Sequence, residues 1–147
     1  MRKIVFALLL LVSMTVGAAD LYMARTTLSF PEAMALLQQT IKDEGYTVSR
    51  VQRVDIGLTK SGFQTDKYRV VFFGKLDEVR EVMRQYPELI PYLPLKIAIF
   101  AENDETLLLA SSFEHLRPYY KSPALRSRFD NWEKGIRQIL ETMRNAE

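Results

Sequence analysis

The sequence predicts an α+β fold: a two-layer sandwich with an antiparallel sheet of about four to five strands and helices packed on one face. Three observations lead there. Stretches of two-residue and 3.6-residue apolar period follow one another in the order β-α-β-β-α-β-β-α. Neighbouring strands are joined by short turns, which only antiparallel pairing allows. The chain has 147 residues, 48% hydrophobic and 26% charged, the balance of one globular domain.

The first strand covers residues 20–28, with Leu21, Met23 and Arg25 on one side and Tyr22 and Ala24 on the other. Ser29-Phe30-Pro31-Glu32 opens the first helix: Ser29 at the N-cap, Pro31 in the first turn, and Glu32 completing a capping box. Phe30, Met34, Leu37 and Ile41 share one face of it. Gly45 ends it, because glycine enters the left-handed region without penalty.

Tyr46–Val51 is the second strand, and the phase change at Val51 and Val54 predicts a bulge. Residues 57–66 read as a polar loop. Lys67–Phe73 is the third strand. Its last four residues are apolar on both faces, which predicts a central position covered from both sides. A second helix spans about residues 76–86, with a stripe of Leu76, Val79, Val82, Met83 and Tyr86. Pro87, Pro91 and Pro94 end it. Leu95–Phe100 and Thr106–Ala110 form a hairpin about Asn103-Asp104-Glu105. Leu125, Phe129, Trp132, Ile136, Ile139 and Met143 line one face of a last helix over 123–145. Six such side chains must be buried, against the protein's own sheet or in a homodimer. Gly135 beside them fits either a close neighbour there or a glycine the helix simply tolerates.

Residues 1–19 have the three parts of a secretory signal peptide. Arg2 and Lys3 carry charge, an apolar run follows from Ile4, and Gly17-Ala18-Ala19 precede Asp20. The charge-free stretch from Ile4 to Ala19 is shorter than the roughly 18–20 residues of a spanning helix. Cleavage after Ala18 or Ala19 is expected to release a single domain over residues 20–147, preceded by Ala19 in the first case, to the periplasm or medium without a stable membrane anchor. The whole chain has 20 Lys+Arg and 18 Asp+Glu, and removing Arg2 and Lys3 makes the two equal. The mature charge balance gives no sign of nucleic-acid binding.

The chain has no cysteine, which closes disulfide, thiolate-metal and thiol-nucleophile chemistry. His115 is the only histidine, so no multi-histidine metal site can form. No GxSxG elbow accompanies it, and it reads as a half-buried or surface residue at a helix start. Gly57 and Gly62 have P-loop spacing, but Phe63-Gln64 stands where Lys-Ser/Thr is required. Glu102, Asp104 and Glu105 lack the alternation of a calcium loop and read as a solvated turn. Glu78 and Glu81 read as surface charge beside Arg80 and Arg84. Along the last helix, Arg126, Asp130, Glu133, Arg137, Glu141 and Arg144 read as a solvated, self-paired flank. No catalytic residue, metal or cofactor is assigned.

One imbalance stands out. Arg50, Arg53, Lys60, Lys67 and Arg69 face only Asp55 and Asp66 over residues 50–69, with Phe63 and Tyr68 interleaved. The cluster suits a small anionic ligand, or charges that protect a strand edge.

The order of motifs resembles the domain of unknown function 302 family. The matching pieces are Ser29–Ala33, Gly45–Val48, Lys67–Phe72, and Pro87–Pro94 leading into Leu95–Phe100, within about residues 21–116. The helix after Pro123 then looks like an extension of the family core. The resemblance implies a small α+β fold that can form a homodimer, and it implies no activity. Members carrying cysteines after the Leu-Pro step and near the end of the central strand have no counterpart at Leu95 and Gly74. The expectation is an exported, non-enzymatic module that binds a small ligand or a protein partner. The alternatives are an enzyme using carboxylate, Lys or Tyr acid-base chemistry, and a structural partner in an envelope complex.

Overall fold

Strand alternation divides the chain into two sheet faces, and the helices cover one of them. A computed structural model describes residues 20–147, so the expected signal segment lies outside the described residues. The strands are β1 (Leu21–Thr26), β2 (Thr47–Arg53), β3 (Tyr68–Gly74), β4 (Leu95–Glu102) and β5 (Glu105–Ser111). They form one antiparallel sheet in the order β1-β5-β4-β3-β2. The helices are α1 (Phe30–Asp43), α2 (Val54–Lys60), α3 (Leu76–Gln85) and α4 (Pro123–Arg144), with 3₁₀ turns at Pro87–Tyr92 and Glu114–Tyr119. No helix among the described residues is long and apolar enough to cross a membrane.

The helix starts follow their local chemistry. The Ser29 N–H donates to the Glu32 carboxylate at 3.1 Å, closing the capping box of α1. Gly45 follows that helix at φ +81°, a conformation that strains any residue with a Cβ. The Leu125 N–H donates to the Ser122 hydroxyl at 3.4 Å and starts α4. The predicted bulge lies between Val48 and Arg50 of β2.

The covered face carries Ala24, Val71, Phe73, Leu95, Ile97, Ile99, Leu108 and Ala110, all buried. Against it lie Ala33, Leu37 and Ile41 of α1, Val79 and Val82 of α3, and the α4 stripe. Leu125, Phe129, Trp132, Ile136, Ile139 and Met143 are each at most 2% exposed. The stripe is therefore buried within its own chain. Gly135 also meets its own chain: a Cβ there would overlap the Tyr46 hydroxyl and lie 3.0 Å from two of its ring carbons.

Four expectations need correction. The stretch 57–66 is not all loop, because Val54–Lys60 is helical. Gly57, a weak helix former, hides that pattern in the sequence, while Asp55 holds the first turn and pairs with Arg69. β3 is not covered from both sides. Val71 and Phe73 are buried, whereas Val70 and Phe72 face the other way and remain half exposed.

Glu133 is not solvated; it is 2% exposed and accepts from the Phe113 N–H at 2.6 Å and from Arg117 Nη2 at 2.8 Å. Arg117 also reaches Asp130, so two acids of that flank pair outside their helix. Glu78 and Glu81 are not idle surface charge. They take the two Nη atoms of Arg128 at 2.9 Å each, and Glu78 also accepts from Trp132 Nε1 at 3.2 Å, tying α3 to α4.

Trp132→Ala should lower unfolding free energy by about 3–5 kcal/mol in denaturant melts, the usual cost of emptying a large aromatic site. A loss within error would remove α4 from the core. Gly135→Ala should be destabilising as well, although alanine ordinarily gains about 1 kcal/mol over glycine inside a helix. Tyr46→Phe removes the overlapping hydroxyl and should recover part of that loss. Additive effects in the double mutant would contradict the contact.

Candidate functional site

The uncovered sheet face is built by register. One row runs across all five strands: Gln52, Val70, Ala98, Leu109 and Met23 are successive Cα partners. On one side lies a row of Tyr68, Phe100, Leu107 and Arg25, with the Tyr68 and Phe100 rings 6.1 Å apart. On the other side Arg50, Phe72 and Lys96 are partners, and Ser111 pairs with Leu21. Leu21 is 55% and Met23 47% exposed, in the edge strand of this surface. At its far end Arg25 bridges Glu102 and Glu105, which closes the β4–β5 hairpin about Asn103 at φ 54°.

One hollow lies on this face, and a second opens at its end, between the sheet and the helical layer. The larger, about 390 Å³, is lined by apolar Leu21, Tyr68, Val70, Phe72, Ala98 and Leu109 together with Lys96 and Ser111. The smaller, about 200 Å³, adjoins it at the same Lys96 and Ser111. Leu95, Phe113 and Ile136 give that hollow an apolar lining, and Pro91, Tyr92, Ser112 and His115 complete it. Lys96 is the only Lys, Arg, Asp or Glu lining either hollow. Its Nζ donates to the Pro91 carbonyl at 3.3 Å.

The wall of the smaller hollow is set by the buried Glu133. By holding the Phe113 N–H and Arg117 it anchors the Glu114–Tyr119 turn, which presents His115. His115 is exposed, with its ring 5.7 Å from that of Tyr92. The peptide bond at Leu93-Pro94, just before Leu95, is cis.

The five cations singled out in the sequence are spread over different surroundings. Arg50 lies on the uncovered face beside Phe72, while Arg53 and Arg69 are direct partners on the other face. Arg69 is paired with Asp55, and both side chains are 14% exposed. Burial, with Arg53 nearby, lowers the Arg69 pKa from its ordinary value. Lys67 and Arg69 lie 5.9 and 5.7 Å from the Phe30 ring centroid. The hollow beside Lys67 is also lined by Asp66, Asp104 and Glu105, which offset its charge. Lys60 is exposed in the last turn of α2.

A second, more polar cleft of about 240 Å³ lies on the helical side, lined by Glu44, Tyr46, Lys75, Glu78, Lys134 and the Gly135 backbone among others. Burial, with Glu78 and Glu44 adding, pushes the Tyr46 hydroxyl above its ordinary pKa, so it stays a donor at neutral pH. Lys75 lies over the Tyr46 ring at 5.6 Å, and Glu78 is already held by Arg128 and Trp132. Among the described residues no three His, Asp or Glu side chains gather as metal ligands.

Sequence reasoning missed Lys96 and the apolar hollows. The signal was present in the both-sided apolar run at Val70–Phe73, but it read as burial. Lys96 itself looked like an ordinary polar residue in an alternating strand.

No curated protein matches the chain. The structure is similar to the crystal structure of an uncharacterized conserved DUF302 protein from Bacillus stearothermophilus, with a TM-score of 0.75 and 21% identity. The alignment covers 86% of this chain and 100% of that one, and it speaks for the fold alone. The model of the family described as "Domain of unknown function DUF302" matches residues 22–143, and so extends through nearly all of α4, beyond the stretch that carries the motifs. The chain belongs to the DUF302 family.

Proposed function

We propose that the protein is exported and acts as a non-enzymatic binding module whose working surface is the uncovered face of its sheet. The observation that carries this reading is the row Val70, Ala98, Leu109 and Met23, apolar across four strands and not overlaid by a helix of the described residues. A soluble domain that leaves such a continuous apolar patch open generally uses it. Export rests on the signal pattern of residues 1–19. A non-enzymatic role is supported by the chemistry of the face, where Lys96 and His115 stand without a carboxylate in either hollow.

Native mass spectrometry of the protein from its own source tests both parts. The expected product begins at Ala19 or Asp20 and carries a companion of defined mass. The double variant Val70→Glu/Ala98→Glu should lose that companion and stay folded, since strand propensity costs about 1 kcal/mol or less per position. A membrane-bound product that keeps Arg2 and Lys3 would contradict export. A companion that stays on the double variant would contradict the surface.

A further inference from the structure

We propose that the two hollows joined at Lys96 form one site for an amphiphilic monoanion, a molecule with a single carboxylate and an apolar body such as a medium-length acyl chain. This rests on the reading of the sheet face as the binding surface. The larger hollow supplies six apolar side chains in a volume of about 390 Å³, within the range of small-molecule sites. An acyl chain lying along Val70, Ala98 and Leu109 removes apolar area from water at about 25 cal/mol per Å².

The head group is selected by charge. Among the described residues Lys96 is the only Lys, Arg, Asp or Glu in either hollow, and it joins no ion pair. An ammonium has three donors, and one goes to the Pro91 carbonyl. Two remain for a carboxylate, and the adjacent Ser111 hydroxyl adds a further donor. With no acid in the lining, nothing repels a carboxylate or neutralises the lysine. A cationic head would be repelled, and a neutral chain laid over Lys96 would strip water from it without replacing the lost contacts. A second negative charge would find no second Lys or Arg in the lining. Arg50, the partner of Phe72 in the same register, is not among the lining residues of either hollow.

Titration calorimetry on the mature chain tests this with decanoate, decanol and decyltrimethylammonium, each below its micelle concentration. Decanoate should bind one per chain, about tenfold or more tighter than decyltrimethylammonium. Lys96→Met should weaken decanoate about tenfold and leave decanol within about twofold. Lys96 is exposed, so this variant does not threaten folding. Val70→Glu/Ala98→Glu should abolish binding of decanoate and decanol.

Equal affinities for the three probes, or no effect of Lys96→Met, would overturn the charge assignment while leaving the face as a binding surface. Decanoate binding that survives Val70→Glu/Ala98→Glu would overturn both. Absence of decanoate binding would overturn the ligand class. If the chain then runs as a dimer in light scattering, and Val70→Glu/Ala98→Glu splits it, the occupant of the face is a second copy.

Discussion

A five-stranded sheet has two faces, and the main helical layer of this protein lies on one. That layer depends on α4. Its Phe129 ring stacks on Phe113 at 5.0 Å between centroids and its Trp132 ring lies tilted against Phe113 at 5.3 Å, and Glu133 of the same helix holds Phe113 and Arg117. Removing the Glu133 carboxylate would leave the buried Phe113 N–H without an acceptor, while Arg117 would keep Glu114 and Asp130. The same helix fixes the edge strand β1. Arg144 donates to the Met23 carbonyl at 2.8 Å, Arg137 reaches the Tyr22 hydroxyl at 3.4 Å, and Thr26 donates to the Ala146 carbonyl at 2.9 Å. With Tyr22 and Ala24 held inward, Leu21 and Met23 must point outward. The shape of the open face is thus a consequence of packing on the closed one.

Much of this was legible in the residues. The capping box at Ser29, the Gly45 stop, the phase change in β2 and the alternation of β1 are local signals with local causes, and each is found in the structure. The α4 stripe was equally clear, because six large side chains at helical spacing leave few arrangements. What escaped was whatever depends on distant partners. Glu133 looks like its exposed neighbours until Phe113 and Arg117 arrive from 20 and 16 residues away. Glu78 and Glu81 look idle until Arg128 reaches them. The short helix α2 was hidden by Gly57 and by having no buried residue to set a period.

The site failed to show for a related reason. Apolar residues on both sides of β3 state what burial would gain, and they do not state whether the chain supplies a cover. Val71 and Phe73 found theirs; Val70 and Phe72 did not. Charge counting along the sequence was drawn instead to residues 50–69, where the cations are dispersed and Arg69 is already paired with Asp55. A lone lysine beside two apolar hollows is a weaker sequence signal than five cations within twenty residues, because only the fold brings the hollows to it.

The most direct measurement is a methyl-labelled NMR titration of the mature chain with decanoate. Each strand carries methyl groups on opposite faces within one or two residues, so the spectrum separates the faces. The account predicts that Val70, Ala98, Leu109 and Met23 resonances shift in a saturable way while Val71, Ile97 and Ile99 stay in place. Shifts confined to the covered face or to residues around the Tyr46 cleft, with Val70 and Ala98 unmoved, would contradict it.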